Sequence, residues 1–321
     1  MEPAFFKIFD GMELLPDAWQ ASRREPLWCF NPALTRWKDQ WLLAYRVVLS
    51  DQRRRIAICL LDKNLNVVRN SIVPFSDMIR FAKGSNYLAR VTSWFADPRI
   101  FILGDRAFLY FNSGWHEPMN HQFVVELASG SLAPAGCARE LCLREDRQKI
   151  EKNWMLFGER LGYAVYSTSP HCILQLDEED DAFIHFREVD RSPPFELNRL
   201  GIAALRGGAP PFRWGENYFS FCHSVAPTSS GTKYETCAYT FSARPPFKPQ
   251  LGPRKTIQLP RTVAAPKLPK LNPAIHEVTY ICGAVLFRDQ WHLSYGIDDQ
   301  LCALAIIPSS NIAGSMASLT G

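Results

Sequence analysis

"DPRIFILGDRAFLYFNS" (97–113) reads as a tight hairpin: an apolar run from Arg99 to Leu103, a turn at Gly104-Asp105-Arg106, and a second apolar run from Ala107 to Phe111. Pro98 disfavours helical backbone at the residue before it, so Asp97 is expected to be extended, at the start of the first strand. The pattern returns as "NPALTRWKDQWLLAYRV" (31–47), "KNWMLFGERLGYAVYST" (152–168), "GAPPFRWGENYFSFCHS" (208–224) and "CGAVLFRDQWHLSYGID" (282–298). Each copy has an acidic turn residue (Asp39, Asp105, Glu159, Glu216, Asp289) and an aromatic near the end of its second strand (Tyr45, Tyr110, Tyr166, Phe221, Tyr295). Copies lie roughly 55 to 75 residues apart, room for a four-stranded sheet with loops. Helical periodicity is scarce. Self-similarity at this period points to an all-β, five-bladed β-propeller, with a sandwich as the competing architecture. The expected organisation is one domain, 1–321, with blades at 28–75, 90–140, 150–195, 200–262 and 275–310.

The rest of the chain limits what this domain does. With 321 residues and 47% hydrophobic content it buries a large core. Its 36 basic residues are scattered among 32 acidic ones, a net charge of +4, which argues against a nucleic-acid partner. The densest basic stretch, "QRRRIAI" (52–58), reads as a solvated strand edge. No apolar run reaches the ~20 residues that cross a membrane. The start, "MEPAFFKIFDGMELL", lacks the pattern of a secretion signal. Nine cysteines include no C-x-x-C pair, and Cys59, Cys172, Cys222, Cys282 and Cys302 sit in strand-like runs, as expected of reduced, buried thiols in a cytoplasmic protein. There is no H-E-x-x-H, G-x-S-x-G or Walker-type loop, and the seven histidines lack zinc spacing, so no metal site is expected.

If the copies are equivalent inner strands about one axis, their starts crowd together at one mouth of the channel. Asn31 and Asp97 each lie eight residues before their acidic turn residue, hence at the same position in successive blades. Lys152 and Asn153 fall near it in the third, and Gly207 to Pro211 in the fourth. The strand-exit residues Arg46, Ser167, His223 and Asp299 are expected to return to the same mouth, giving a ring of polar groups where a ligand site belongs.

Taken singly, each residue has a plain and a functional reading. Asp97 is either an Asx-turn residue or a general acid or base. Arg99 serves an inter-blade ion pair or touches substrate. Lys152-Asn153 is awkward inside a strand unless it serves a ligand: the lysine an anion, the asparagine sugar hydroxyls. His223 ends an apolar strand, where histidine is usually structural. "RGGAPP" (206–211) permits close backbone approach to a ligand, or is merely a turn. "SYGIDD" (294–299) ends a strand with two carboxylates.

Together, "NPAL…WLLAYRV", "DPRI", "EKNW..F", "GGAPPF…YFSFCHS" and "YICGAVLF…HLSYGIDD" resemble glycoside hydrolase family 130 and the related glycosyltransferase family 108, in order, from about residue 28 to 307. The resemblance implies a five-bladed propeller and inverting phosphorylase or mannosyltransferase chemistry on β-1,2-mannosides. It implies no metal or cofactor, with inorganic phosphate as co-substrate. Asp97 matches the family's catalytic acid, whose proton travels through a hydroxyl of the bound mannose while phosphate attacks the opposite face. Asn31, Arg46, Asn153, Asp299 and Tyr295 form the expected sugar-binding set. Lys152, Arg206, His223, His171 and Tyr234 form the expected phosphate or donor set.

Three departures separate this chain from the usual phosphorylase pattern. "YSTSPH" (166–171) stands where an arginine is usual, Arg206 is the nearest cation to a missing lysine, and Ala96 replaces a glutamate. They move the reading toward a transferase, with His171 in place of the arginine. A partly desolvated Asp97 is expected to have a raised pKa. Phosphate affinity resting on His171 and His223 is expected to weaken from about pH 6 to 8. The expected partners are a manno-oligosaccharide with mannose-1-phosphate or GDP-mannose, no nucleic acid, no membrane, and a second copy of the chain in a homo-oligomer. Two alternatives stand beside this reading. One is an inverting hydrolase with Glu117, Asp298 or Asp299 as base, and the other a non-catalytic carbohydrate-binding propeller.

Overall fold

Each of the five repeats folds as an antiparallel hairpin, and the described strands form three sheets, of three, eight and ten strands, within which five hairpin-centred units are distinguished. The computed structural model describes residues 3–20, 27–82, 87, 89–114, 119–145, 147–149, 151–228, 231–261, 268–273 and 275–319. After β1 (Phe5–Ile8), unit one contains β2 (Trp28–Trp37), β3 (Gln40–Val48) and β4 (Arg54–Leu61). Unit two contains β5 (Ala96–Leu103), β6 (Arg106–Asn112), β7 (Gln122–Glu126) and β8 (Arg139–Leu143). Unit three contains β9 (Met155–Phe157), β10 (Tyr163–Ser167), β11 (Cys172–Glu179) and β12 (Phe183–Arg191). In unit four, β13 (Ala204–Gly207) and β14 (Phe212–Trp214) share β15 (Asn217–Thr228) as partner, followed by β16 (Gly231–Ser242) and β17 (Pro249–Pro253). Unit five contains β18 (Ile275–Phe287), β19 (Gln290–Ile297) and β20 (Leu301–Pro308), and β1 completes it by pairing antiparallel with β20. A last strand, β21 (Met316–Ser318), pairs with β17. Parallel links between β8 and β12 and between β16 and β18 join neighbouring units.

The apolar cores follow the same cycle. One core packs unit one on unit two, through residues such as Leu42, Ile58, Leu109 and Phe123. Others join two to three (Tyr110, Trp154), three to four (Phe157, Tyr218, Phe241), four to five (Phe221, Trp291) and five back to one (Val285, Leu304, Leu43). At the centre β2 contacts β5 and β18, and β5 contacts β9. Each sheet thus covers both its faces with neighbours, which explains strands as apolar as "QWLLAYRVV".

The hairpins close by local chemistry. Trp37 pairs with Gln40 and Phe287 with Gln290 across two-residue turns whose residues all have left-handed φ, +47° and +63° at Lys38 and Asp39, +51° and +59° at Arg288 and Asp289. Gly104 and Gly215 take φ of +65° and +61° at the corresponding turns of units two and four.

Two sequence expectations change here. Arg54 and Arg55 are not a solvated edge: Arg55 is buried against Asp51, and Arg54 is half-buried over Trp94. Of the nine free cysteines seven are buried, Cys142 is half-buried and Cys137 is exposed. Among the described residues no helix is long and apolar enough to cross a membrane.

Candidate active site

At the end opposite the turns, each of the first two inner strands carries a bulge. Between Phe30 and Ala33 on β2, and between Ala96 and Arg99 on β5, one residue more is threaded than on the partner strand. Asn31 and Asp97 occupy these bulges with left-handed φ of +53° and +51°, and Asn153, just before β9, has +65°. Asp97 is therefore not extended. A left-handed residue is what the bulge needs, short Asn and Asp side chains tolerate that conformation, and this outweighs the preference imposed by Pro98.

The two bulges turn Asn31 and Asp97 inward, and left-handed Asn153 joins them; all three side chains are buried. Asn31 Nδ2 donates to Asp97 Oδ1 at 2.9 Å, and Arg46 Nη1 reaches the same oxygen at 3.3 Å. Tyr280 Oη donates to Asn153 Oδ1 at 2.8 Å, and the Asn153 amide donates to Tyr110 Oη at 3.1 Å. Asn31 has room only because position 296 is glycine, where a Cβ would lie 2.1 Å from its Oδ1. Gly207 meets the Asn153 carbonyl similarly, with a Cβ there only 2.4 Å away. The glycines of "RGGAPP" thus admit neighbouring backbone rather than ligand.

Among the described residues Arg99 has no carboxylate in salt-bridge contact. Fully buried, it donates from Nε to the Gly208 carbonyl at 2.6 Å and from Nη1 to the Asp97 and Pro98 carbonyls at 3.2 and 3.0 Å, with its guanidinium over Tyr280. It braces unit two against unit four.

A cleft of about 230 Å³ opens beside this centre, lined by Lys152, Asn153 and Arg206 together with Glu151, Ser167 and Thr168. The expected arginine is replaced here by two hydroxyls and a buried carboxylate. Burial lowers the Lys152 pKa while the charge of Asp97 supports its protonated form, and the net direction is down.

The electrostatics reverse one expectation. Burial pushes the Asp97 carboxyl up, but Arg46, Lys152 and Arg99, with the Asn31 hydrogen bond, outweigh it and hold the group below the usual carboxylate range. Asp299 is the carboxyl that rises, to about 6, because burial and the charge of Asp97 outweigh Arg46, Lys152 and Arg54.

His223 is fully buried between Tyr280 (rings 4.2 Å apart) and Tyr234 (6.1 Å), with neither ring nitrogen hydrogen-bonded among the described residues. Burial, then the nearby Arg99 and Lys152, pushes its pKa well below the usual histidine value, so the ring is neutral.

The structure therefore gathers Asn31, Arg46, Asp97, Lys152, Asn153, Arg206, His223 and Asp299 into one neighbourhood, with Tyr234 at its side. It leaves out His171, which is buried between units three and four with Nε2 3.2 Å from the Phe247 carbonyl and Nδ1 3.5 Å from Tyr239 Oη. Burial lowers its pKa to about 4. The expected histidine-driven loss of phosphate affinity between pH 6 and 8 is withdrawn, because both rings are already neutral there. Tyr295 is likewise a core residue, its hydroxyl donating to the Pro260 carbonyl at 2.7 Å. Asp298 is taken up by Arg261 at 2.6 Å and the Val278 amide at 2.8 Å, and Glu117 lies outside the described residues. Tyr280 was missed by sequence reasoning. Its signal was its place, nine residues before Asp289 and beside the position equivalent to Asn31 and Asp97.

Comparison with solved structures places this fold. A β-1,2-mannobiose phosphorylase from Listeria innocua, solved with β-1,2-mannobiose, shares it with a TM-score of 0.64 at 14% identity, over 97% of this chain and 98% of its own. A mannose phosphorylase from Leishmania mexicana, solved with a phosphate ion, does so at 0.52 and 11%, over 94% of each chain. A GDP-Man-dependent mannosyltransferase from Leishmania mexicana gives 0.50 and 11%, over 88% of this chain and 86% of its own. No family model and no curated protein sequence matches the chain.

Proposed function

We propose that the five units are the blades of one β-propeller and that the chain is an inverting β-mannoside phosphorylase or mannosyltransferase acting on β-1,2-linked manno-oligosaccharides. The observation that carries this reading is the buried Asp97 carboxylate, held by Asn31 and Arg46 beside a cleft that presents Lys152 and Arg206. The cycle of apolar cores supports the propeller, and the shared fold supports the class of chemistry.

In the synthetic direction the donor's phosphate sits against Lys152 and Arg206, which stabilise the charge it gains as the anomeric C–O bond breaks. The acceptor hydroxyl attacks the opposite face and gives up its proton toward Asp97. A carboxyl held below its usual range is ionised at neutral pH and ready for that task. In phosphorolysis Asp97 must begin protonated. Phosphate bound at Lys152 and Arg206 weakens the hold of Lys152 on Asp97 and moves its pKa upward. Asn153 and Asp299 bind sugar hydroxyls, and neutral His223 contributes a hydrogen bond rather than a charge. Mannose-1-phosphate or GDP-mannose is the donor, inorganic phosphate the co-substrate, and no metal or organic cofactor takes part. Nine free cysteines suit a reducing, cytoplasmic location.

A second reading is an inverting hydrolase. Asp299 favours it as a second, half-buried carboxyl whose ionisation Asp97 shifts, a candidate base for water. One experiment separates the two. The protein is incubated with mannose plus either mannose-1-phosphate or GDP-mannose, and separately with β-1,2-mannobiose with and without phosphate. The transferase–phosphorylase reading expects oligomer from one donor, or phosphate-dependent mannobiose cleavage. Mannose release without phosphate establishes the hydrolase, and no turnover in any arm rejects both.

A further inference from the structure

We propose that Arg54, together with Arg46, forms a second anion-binding subsite on the unit-one side of Asp97, one that takes the negative charge of an anionic acceptor sugar, a sugar phosphate or a uronate.

The register of unit one puts the two arginines on one face. Arg46 pairs with Ile56 and Val48 with Arg54, so residues 46, 48, 54 and 56 project from the same side of the sheet. Diagonal neighbours of this kind lie about 7–8 Å apart, within mutual reach of long side chains. Two guanidinium groups are thus directed at the same space, where the carboxylates of Asp97 and Asp299 offset part of their charge and an added anion offsets more. Each lies over an aromatic ring, Arg46 over Phe30 at 4.9 Å and Arg54 over Trp94 at 4.6 Å. Such stacking holds a guanidinium in one plane and leaves its N–H edge available to an in-plane carboxylate or phosphate.

The unmet hydrogen-bonding capacity is visible atom by atom. Among the described residues the Nε of both arginines is buried without a hydrogen-bond partner. Arg46 reaches one carboxylate oxygen, on Asp97, at 3.3 Å. Among the described residues Arg54 has no carboxylate in salt-bridge contact, and its Nη1 donates to the Gln52 carbonyl at 2.5 Å. Burial, then the charge of Arg46, lowers the Arg54 pKa to about 10, with Asp299 opposing, in keeping with a cation pressed toward the site. This pole belongs to unit one and the start of β5, whereas Lys152 and Arg206 belong to units three and four, so the two poles approach Asp97 from different sides. A donor phosphate held at one leaves the other to the acceptor.

The acceptor assignment rests on the transferase–phosphorylase reading, but the anion site does not, and the test separates them. Mannose, mannose 6-phosphate, mannuronic acid and inorganic phosphate are titrated calorimetrically, without donor, into the parent, Arg54→Gln, Arg54→Lys and Lys152→Ala. The expected result is tighter binding of the two anionic sugars than of mannose by the parent. Arg54→Gln then loses about tenfold on the anionic sugars, as for one hydrogen bond to a charged group, while mannose changes less than threefold. Arg54→Lys retains most of the affinity, and Lys152→Ala lowers phosphate binding while sparing the preference for anionic sugars. Equal binding of neutral and anionic sugars by the parent overturns the proposal, as does an equal loss of both in Arg54→Gln. The latter result would make Arg54 a brace for the Trp94–Phe95 segment, whose Phe95 amide donates to its carbonyl at 3.3 Å. With mannose-1-phosphate as donor, the same panel is run as acceptors. A subsite that binds anionic sugars in a protein that transfers no mannose keeps the site and rejects the reading it was attached to.

Discussion

The two ends of the inner hairpins use the same unusual backbone for opposite purposes. At the turn end, left-handed Lys38, Asp39, Arg288 and Asp289 close two-residue turns in a geometry the strand twist itself favours. At the mouth end, left-handed Asn31 and Asp97 break the ladder and meet each other, and left-handed Asn153, just before β9, meets Tyr280; all three are buried. Strain of this kind costs on the order of 1–3 kcal/mol per residue and persists only where surrounding contacts enforce it. Among the described residues the exposed Asp39 side chain pairs with Arg36 alone, whereas Asp97 is gripped by Asn31 and Arg46. Left-handed backbone therefore marks a turn at one end and a site at the other, and what distinguishes them is which neighbours hold the side chain.

The sharpest way to break this contrast is to change one aspartate at each end of the same hairpin. Asp97→Asn should lower turnover by ~10²–10⁴-fold while the protein folds and binds mannose, because the shape stays and the transferable proton goes. Asp105→Asn, at the turn, should leave activity within about twofold. Comparable activity in both variants would move the acid–base role away from the bulge. Lys152→Ala should follow, raising KM for an anionic donor or phosphate by about tenfold and affecting neutral mannoside binding less. An equal effect on both ligands would make the lysine structural.

Gly296→Ala tests the packing behind Asn31. With its Cβ 2.1 Å from Asn31 Oδ1, the variant should lose about 1–3 kcal/mol of stability and displace the Asn31–Asp97 hydrogen bond, lowering activity as well. A melting temperature equal to the parent's would show that the mouth end is as tolerant as the turns.

The smallest effect is expected from pH. The Asp299 carboxyl has a pKa of about 6 in the fold against an ordinary 3.8, so between those values the native state binds more protons than the unfolded one. Its contribution to stability therefore falls as pH rises through that window. Asp97, with a lowered pKa, acts in the opposite sense, adding stability that is lost as pH falls. Asp299→Asn should gain on the parent in thermal stability between pH 4 and pH 7. A constant difference between the two proteins would contradict the burial cost assigned to Asp299.

Much of this organisation was readable along the chain because it is local. Alternating apolar runs, acidic turn residues and the eight-residue offset shared by Asn31 and Asp97 all operate within one hairpin, where hydrogen bonding and side-chain alternation act over a few residues. The same locality explains the failures. His171 and Tyr295 have the right offsets in their hairpins, but cores between units four, three and five absorb their side chains. The rule for residues before proline misplaced Asp97 because a bulge is defined by two strands, not one.

Ionisation was decided entirely by tertiary structure. Asp97 is held down because Arg46, Lys152 and Arg99 outweigh its burial, and Asp299 is pushed up because burial and the Asp97 charge outweigh Arg46, Lys152 and Arg54, groups far apart along the chain. His223 is neutral because two tyrosines and two cations surround it, and Arg54 faces Arg46 because β3 and β4 pair in one register. The residue types needed for sugar and phosphate chemistry are written in the chain. Which of them carries the proton, and which cation stands without a carboxylate in salt-bridge contact among the described residues, depends on through-space fields and desolvation, which fall off over a few ångströms regardless of distance along the sequence.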